Sequence, residues 1–166
     1  MRTASGWLIA ILCAIAAPVQ VAAQDLAADL VGVWKLTGYE RKETASGKVT
    51  KPYGEKPSGH LINTKGGHSI FIFVADNRKA PAGPGPTDAE RIELFKTMTA
   101  ASGTYKIQGG KSVFRYETSS FQSLTGRQTA FDIELSGKTL KVTSPPIKSP
   151  VDGTETVVTS IYERLE

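Results

Sequence analysis

Residues 29–40 read DLVGVWKLTGYE, and their reading decides the fold. A greasy leader precedes them. From Val33 onward, apolar and polar residues alternate with the period of two that a half-buried strand needs. Gly32 stands two residues before Trp34, where a residue without a β-carbon lets the chain turn sharply out of a short helical stretch expected at residues 25–31. Working outward, the same alternation recurs. In RQTAFDIEL (127–135), Thr129, Phe131, Ile133 and Leu135 share one face, with Gln128, Asp132 and Glu134 on the other. KSVFRYET (111–118) sets Phe114 and Tyr116 against Arg115 and Glu117, and Tyr105 with Ile107 oppose Lys106. Leu140 and Val142 flank Lys141 in the same way. Such one-sided strands belong to antiparallel sheets with one wet face.

Glycine-containing turns separate the runs: Lys65-Gly66-Gly67, Gly109-Gly110, Ser136-Gly137 and Asp152-Gly153. Their spacing joins neighbours as hairpins. Strand runs fall near residues 33–40, 59–64, 67–74, 102–108, 111–118, 127–135, 138–143 and 155–163. An all-β chain of about eight antiparallel strands can close into a small barrel. One segment breaks the pattern. TDAERIELFKTM (87–98) predicts the single short helix: Thr87 and Glu90 form a capping box, Asp88 suits the positive helix end, and Ala89, Ile92, Phe95 and Met98 make an apolar stripe expected to pack on the barrel. The preceding APAGPGP (80–86) is too rich in proline and glycine to join a ladder; a loop of that kind is a candidate lid or binding loop.

Residues 1–23 have the form of a secretory signal. Arg2 gives the positive end, residues 7–17 are small and apolar, Pro18 breaks the run, and Val21-Ala22-Ala23 offers a cleavage site after Ala23. The apolar run falls short of the roughly 20 residues of a membrane span, so no stable membrane anchor is expected after cleavage. A lipobox is excluded because Leu12 precedes Cys13. Cleavage removes the sole cysteine, so residues 24–166 form a domain without a disulfide, a thiolate nucleophile or a Cys metal ligand. A chain of that length can bury roughly 68–70 % of its unfolded surface and needs no staple. The formal charge of +4 falls by one with Arg2, and the lysines are scattered, with a mild bias between Arg41 and Lys56. Nucleic acid is not expected as a partner without a basic stripe. Export places the protein in the periplasm or outside the cell.

These residues resemble the bacterial lipocalin-like domain family. LVGVWKL (30–36) is similar to its Leu-x-Gly-x-Trp opening, and KPYGEKPSGHLINTKGGHSIFIF (51–73) to its Pro-aromatic-Gly…Pro-x-Gly-x-Leu-Ile…Gly-His stretch. ASGTYKI (101–107), Ser144-Pro145-Pro146 and the closing Ile161-Tyr162-Glu163-Arg164 follow in the same order. Asn63 stands where that family commonly has tyrosine. The resemblance implies a β-barrel with an internal cavity, in which Trp34 plugs the closed end below Gly32. It further implies that Arg164, from the last strand, lies across the indole with a cation–π contribution of roughly 0.5–2 kcal/mol.

Chemistry-bearing motifs are sparse. His60 and His68 flank one hairpin. A two-residue turn at Lys65-Gly66 would put them on opposite faces and a three-residue loop on the same face, and neither supplies a third ligand, so no metal is assigned. Gly67-His68-Ser69 lacks the final glycine and the strand-to-helix turn of a nucleophile elbow. Glu117, Asp132 and Glu134 lie on polar strand faces and are read as solvated rather than as an acid–base pair. No nucleotide-binding glycine loop occurs, so neither a cofactor nor a catalytic residue is assigned. The inward aromatics stand out instead: Phe71, Phe73, Tyr105, Phe114, Tyr116 and Phe131, with Thr129, form the candidate ligand-binding set, the two tyrosines and the threonine orienting a small hydrophobic ligand. The expected function is therefore an exported carrier or binder of such a molecule. Two readings compete with it: a cofactor-free isomerase or cyclase in the same barrel, and an envelope interaction protein whose barrel is filled by side chains. Cavity volume separates the last from the other two. A buried acid or base with a partner separates enzyme from carrier.

Overall fold

The computed structural model describes residues 26–166. The leader and the expected cleavage site after Ala23 lie outside the described residues, as does Asp25. Residues 26–29 form a helical turn, and the chain then enters β1 (Gly32–Glu43). The other strands are β2 (Val49–Thr50), β3 (Ser58–Asn63), β4 (His68–Val74), β5 (Met98–Gln108), β6 (Lys111–Ser119), β7 (Gln128–Ser136), β8 (Thr139–Thr143), β9 (Ile147–Lys148) and β10 (Glu155–Arg164). Eight of them run antiparallel in the order β1-β3-β4-β5-β6-β7-β8-β10, and β10 pairs back onto β1 to close the barrel. The two-residue strands β2 and β9 extend β1 and β10 at one end. The eight expected runs correspond to these eight barrel strands.

The two ends differ. Short hairpins join β3–β4, β5–β6 and β7–β8 at the end where β1 begins. The long connections 51–57, 75–97, 120–127 and 144–154 gather at the other. Trp34 fills the first end with no exposed surface, within a cluster that includes Leu30, Leu36, Leu61, Phe73, Leu140 and Tyr162. Each large apolar side chain buried this way contributes roughly 1.5–3 kcal/mol. The Trp34 Nε1–H donates to the Leu30 carbonyl (3.0 Å), which also accepts from Asn63 Nδ2 (3.0 Å). Arg164 is paired with Trp34 across the sheet, its guanidinium carbon 4.1 Å from the ring centroid. The same guanidinium donates to the carbonyls of Val31 (2.9 Å), Asp29 and Glu166 (3.3 Å). Gly32 has φ +135°, and a β-carbon there would run into the Glu166 carbonyl oxygen. Only glycine fits this threshold without displacing the chain's last residue.

Two details depart from the sequence reading, and a third settles an alternative it left open. The helix α1 spans Asp88–Lys96, shorter than 87–98. Thr87 is its N-cap, with the capping box formed by Thr87 N–H to Glu90 Oε2 (2.7 Å) and Glu90 N–H to Thr87 Oγ1 (3.3 Å). Met98 instead opens β5, because the Thr97 hydroxyl returns to the Glu93 carbonyl (2.7 Å) and ends the helix. Second, the apolar stripe is not buried: Ala89, Ile92 and Phe95 are exposed and α1 buries no residue. The helix is held by its caps and by the Ala75 N–H to the Thr97 carbonyl (3.0 Å), with Phe95 meeting only the edge of Phe121. Third, β3 and β4 pair Asn63 with Ser69 and His60 with Ile72, and Thr64 N–H bonds His68 O. The loop is therefore three residues, 65–67. His60 and His68 consequently point outward on the same side, with His68 four residues from the partner of His60, about 13 Å along the strand.

Candidate functional site

An irregularity in β1 positions the site. Along β1 the pairing runs Trp34–Arg164 and Leu36–Tyr162, then slips by one residue to Gly38–Ile161 and Tyr39–Ser160. The extra residue is Thr37, a β-bulge. Side-chain direction alternates strictly along a strand, so one inserted residue exchanges the two faces beyond it. Trp34 and Leu36 point inward below the bulge, and Tyr39 and Arg41 point inward above it. Had the strand paired regularly through Thr37, Glu40 and Lys42 would occupy the interior.

The rings form a continuous layer across the barrel. Phe71 stacks on Phe73 (centroids 4.9 Å apart), Phe114 meets Tyr116 edge-on (4.6 Å), and Phe73 approaches Tyr39 and Tyr162 (6.0 Å each). Tyr53, from the 51–57 loop, completes the set by meeting Tyr39 edge-on at 4.7 Å. This layer divides the interior. Below it a smaller chamber of about 90 Å³ is lined by Leu30, Leu61, Asn63, Ser69, Ile133, Leu140 and Tyr162 together with the aromatics. Above it a vestibule of about 200 Å³ opens between the long connections, lined by Tyr39, Arg41, Tyr53, Lys96, Phe121, Ser149, Thr156 and Ser160 over a floor of Phe71, Phe73 and Tyr116.

The candidate residues divide accordingly. Phe71, Phe73 and Tyr116 face both spaces. Phe114, Phe131 and Tyr105 line only the lower chamber, and the Tyr105 hydroxyl donates to the Thr64 carbonyl (3.4 Å) near the closed end. Thr129 lines neither space. Glu117, Asp132 and Glu134 are exposed, the latter two paired with Lys111 (2.6 Å) and Lys141 (2.8 Å).

The alternation of the sequence did not single out Tyr39, Arg41, Tyr53, Thr156, Ser160 or Tyr162 as site residues. Along β10 the inner face carries Thr156, Val158, Ser160 and Tyr162, while Val157 and Ile161 lie on the other face. Small hydroxyl side chains inside leave the room that forms the vestibule, which inverts the usual hydrophobic pattern. Tyr53 sits in a loop with no periodicity to reveal it.

The electrostatics are set by burial. Desolvation holds the Tyr39 phenol far above its ordinary range, with the nearby phenols of Tyr53, Tyr162 and Tyr116 adding to the effect. Burial pushes Tyr53 up to about 12 and raises Tyr162 and Tyr116. These groups are neutral hydrogen-bonding phenols at any ordinary pH. Arg41 donates from Nη2 to Asp152 Oδ2 (2.6 Å) and from Nη1 to Ser149 Oγ (3.4 Å). That pairing, with the Thr154 N–H, keeps the Asp152 carboxyl well below its usual range. Arg41 Nε and Thr156 Oγ1 are buried and have no hydrogen-bond partner among the described residues.

In comparison with known families, the lipocalin-like domain matches residues 31–164, nearly the whole described chain. The chain belongs to this family. The match begins beside Gly32 and ends on Arg164, so it coincides with the closed barrel and with the two residues that meet over Trp34. No curated protein matches this lipocalin-like domain in sequence.

Proposed function

We propose that this lipocalin-like domain is an exported protein that binds or carries a small, largely apolar molecule in the upper half of its barrel. The supporting observation is the vestibule: about 200 Å³ of space over a floor of stacked rings, open at the end where the long connections meet. An apolar cavity of roughly 150 Å³ is enough to hold benzene, so a molecule of one or two rings fits this space. The chamber below, at about 90 Å³, offers much less. Neutral phenols at Tyr39, Tyr53 and Tyr116 give such a ligand hydrogen-bonding groups without a charge to desolvate. A barrel filled by side chains, which would place function on the outer surface, lacks this space. The leader at residues 1–23 supports export.

The test is native mass spectrometry of the full chain expressed in and purified from its own host. A co-purifying molecule of one-to-two-ring size is expected on the wild type and absent from Ser160→Trp, which fills the vestibule. The exported chain is expected to begin at Gln24. A wild type that carries nothing and binds no apolar fluorescent probe overturns the binding reading, and a chain that retains its leader and stays inside the cell overturns export.

A further inference from the structure

The vestibule has a sign. Among its lining residues Arg41 and Lys96 carry charge, both positive, and no carboxylate side chain lines it among the described residues. Arg41 is mostly withdrawn from water, its side chain 17 % exposed. Only its tips are engaged, by Asp152 and Ser149, while Nε remains buried without an acceptor, as does the Thr156 hydroxyl. An unmet buried donor is costly, and a charged one more so. Asp152 satisfies the guanidinium incompletely and from outside: its side chain is 41 % exposed on the 144–154 connection. An ion pair in contact with water is worth little net, so a second carboxylate arriving from inside can replace it at small cost. Once released, Asp152 keeps its bond from the Thr154 N–H (3.0 Å) and is solvated.

We propose that the vestibule selects a small cyclic carboxylate, aromatic or alicyclic, whose ring lies on Phe71 and Phe73 and whose carboxylate takes Arg41 from Asp152. This deepens the small-molecule reading above and rests on it. The planar guanidinium fork matches a carboxylate through two parallel hydrogen bonds. Lys96, which lines the same space and pairs with Glu93 (3.2 Å), stands beside the approach. The volume admits one or two rings and leaves no room for a long acyl chain.

The experiment compares 2-naphthoate with its neutral isostere 2-naphthalenemethanol on the full chain by titration calorimetry. Wild type is expected to bind the carboxylate at least tenfold more tightly, about 1.4 kcal/mol. Arg41→Gln is expected to bring the two affinities within about twofold of each other. Asp152→Asn, which removes the competitor and leaves the guanidinium, is expected to tighten 2-naphthoate by about threefold and to leave the alcohol unchanged. This second variant alters only an exposed side chain, so the comparison stands even if Arg41→Gln fails to fold. Equal affinities in the wild type, a preference that survives Arg41→Gln, or weaker naphthoate binding by Asp152→Asn would each overturn the carboxylate assignment while leaving the apolar site intact. Failure of wild type to bind either compound would instead overturn the small-molecule reading itself.

Discussion

Arg164 secures the closed end of the barrel in two ways at once. It covers the Trp34 indole at 4.1 Å and gathers the carbonyls of Asp29, Val31 and Glu166. Those carbonyls belong to the turn before β1 and to the chain's last residue, which otherwise have few internal partners. The fork geometry is essential, because one ammonium cannot lie flat on a ring and reach carbonyls on both sides. Arg164→Ala is expected to cost about 2–3 kcal/mol, the combined loss of a partly desolvated cation–π contact and charged hydrogen bonds. Arg164→Lys is expected to restore less than half of it. Urea denaturation followed by far-UV circular dichroism measures both, and a Trp34→Leu double-mutant cycle isolates the ring contribution. An unchanged midpoint for Arg164→Ala would show that the C-terminal strand closes the barrel without this residue.

At the scale of elements, Thr37 carries more consequence than its own contacts suggest. Its hydroxyl makes one exposed bond to the Ile161 carbonyl (3.2 Å), so Thr37→Ala is expected to cost under about 1 kcal/mol. Deleting Thr37 removes the bulge and leaves Leu36–Tyr162 followed directly by Gly38–Ile161 in a regular ladder, so Trp34, Leu36, Tyr39 and Arg41 all still point inward. The deletion variant and Thr37→Ala are therefore both expected to retain a cooperative thermal transition, as seen by circular dichroism, and its loss on deletion would show that the bulge itself is needed to close the barrel. The bulge also explains what was legible in the sequence. Strands β4 to β8 were readable because their alternation keeps one period over the inner residues, from Phe71 and Phe73 to Leu140 and Val142, the one shift in β6 falling only after Tyr116. The closed end was readable because Gly32, Trp34 and Arg164 are residue types with few alternative reasons to stand at those places. The vestibule was not readable. One inserted residue on β1 reverses the phase that would reveal Tyr39 and Arg41, and β10 places Thr156 and Ser160 inside, where hydrophobicity points to Val157 and Ile161. The stripe on α1 misled for the opposite reason. Its period is real, but the helix is suspended between β4 and β5 with too few neighbours to cover Ile92.

Over the whole molecule, polarity is distributed by ends. The lower end is closed by Trp34 and Leu140, both without exposed surface, and the upper interior holds phenols, hydroxyls and Arg41. That distribution ties global stability to alkaline pH. All five tyrosines are raised above the ordinary phenol value, with burial as the leading cause; Tyr53 reaches about 12, and Tyr39 and Tyr162 lie higher still. In the unfolded chain each phenol titrates near 10. The folded state therefore binds more protons than the unfolded state above that pH. The stabilisation from these groups is fully present below pH 10 and drains away as pH rises toward and past 12. Each phenol held neutral in the fold contributes a slope of about 1.4 kcal/mol per pH unit. Tyr39, Tyr53 and Tyr162 together then remove about 4 kcal/mol for each unit above 10, a large share of the 5–15 kcal/mol typical of a domain. A barrel at the lower end of that range is expected to unfold between roughly pH 11 and 12. Tyrosinate absorbance near 295 nm should rise with that transition, and a titration centred on pH 10 with circular dichroism unchanged would contradict the buried phenol cluster. Tyr39→Phe, which removes the most deeply raised phenol, is expected to shift the alkaline transition upward.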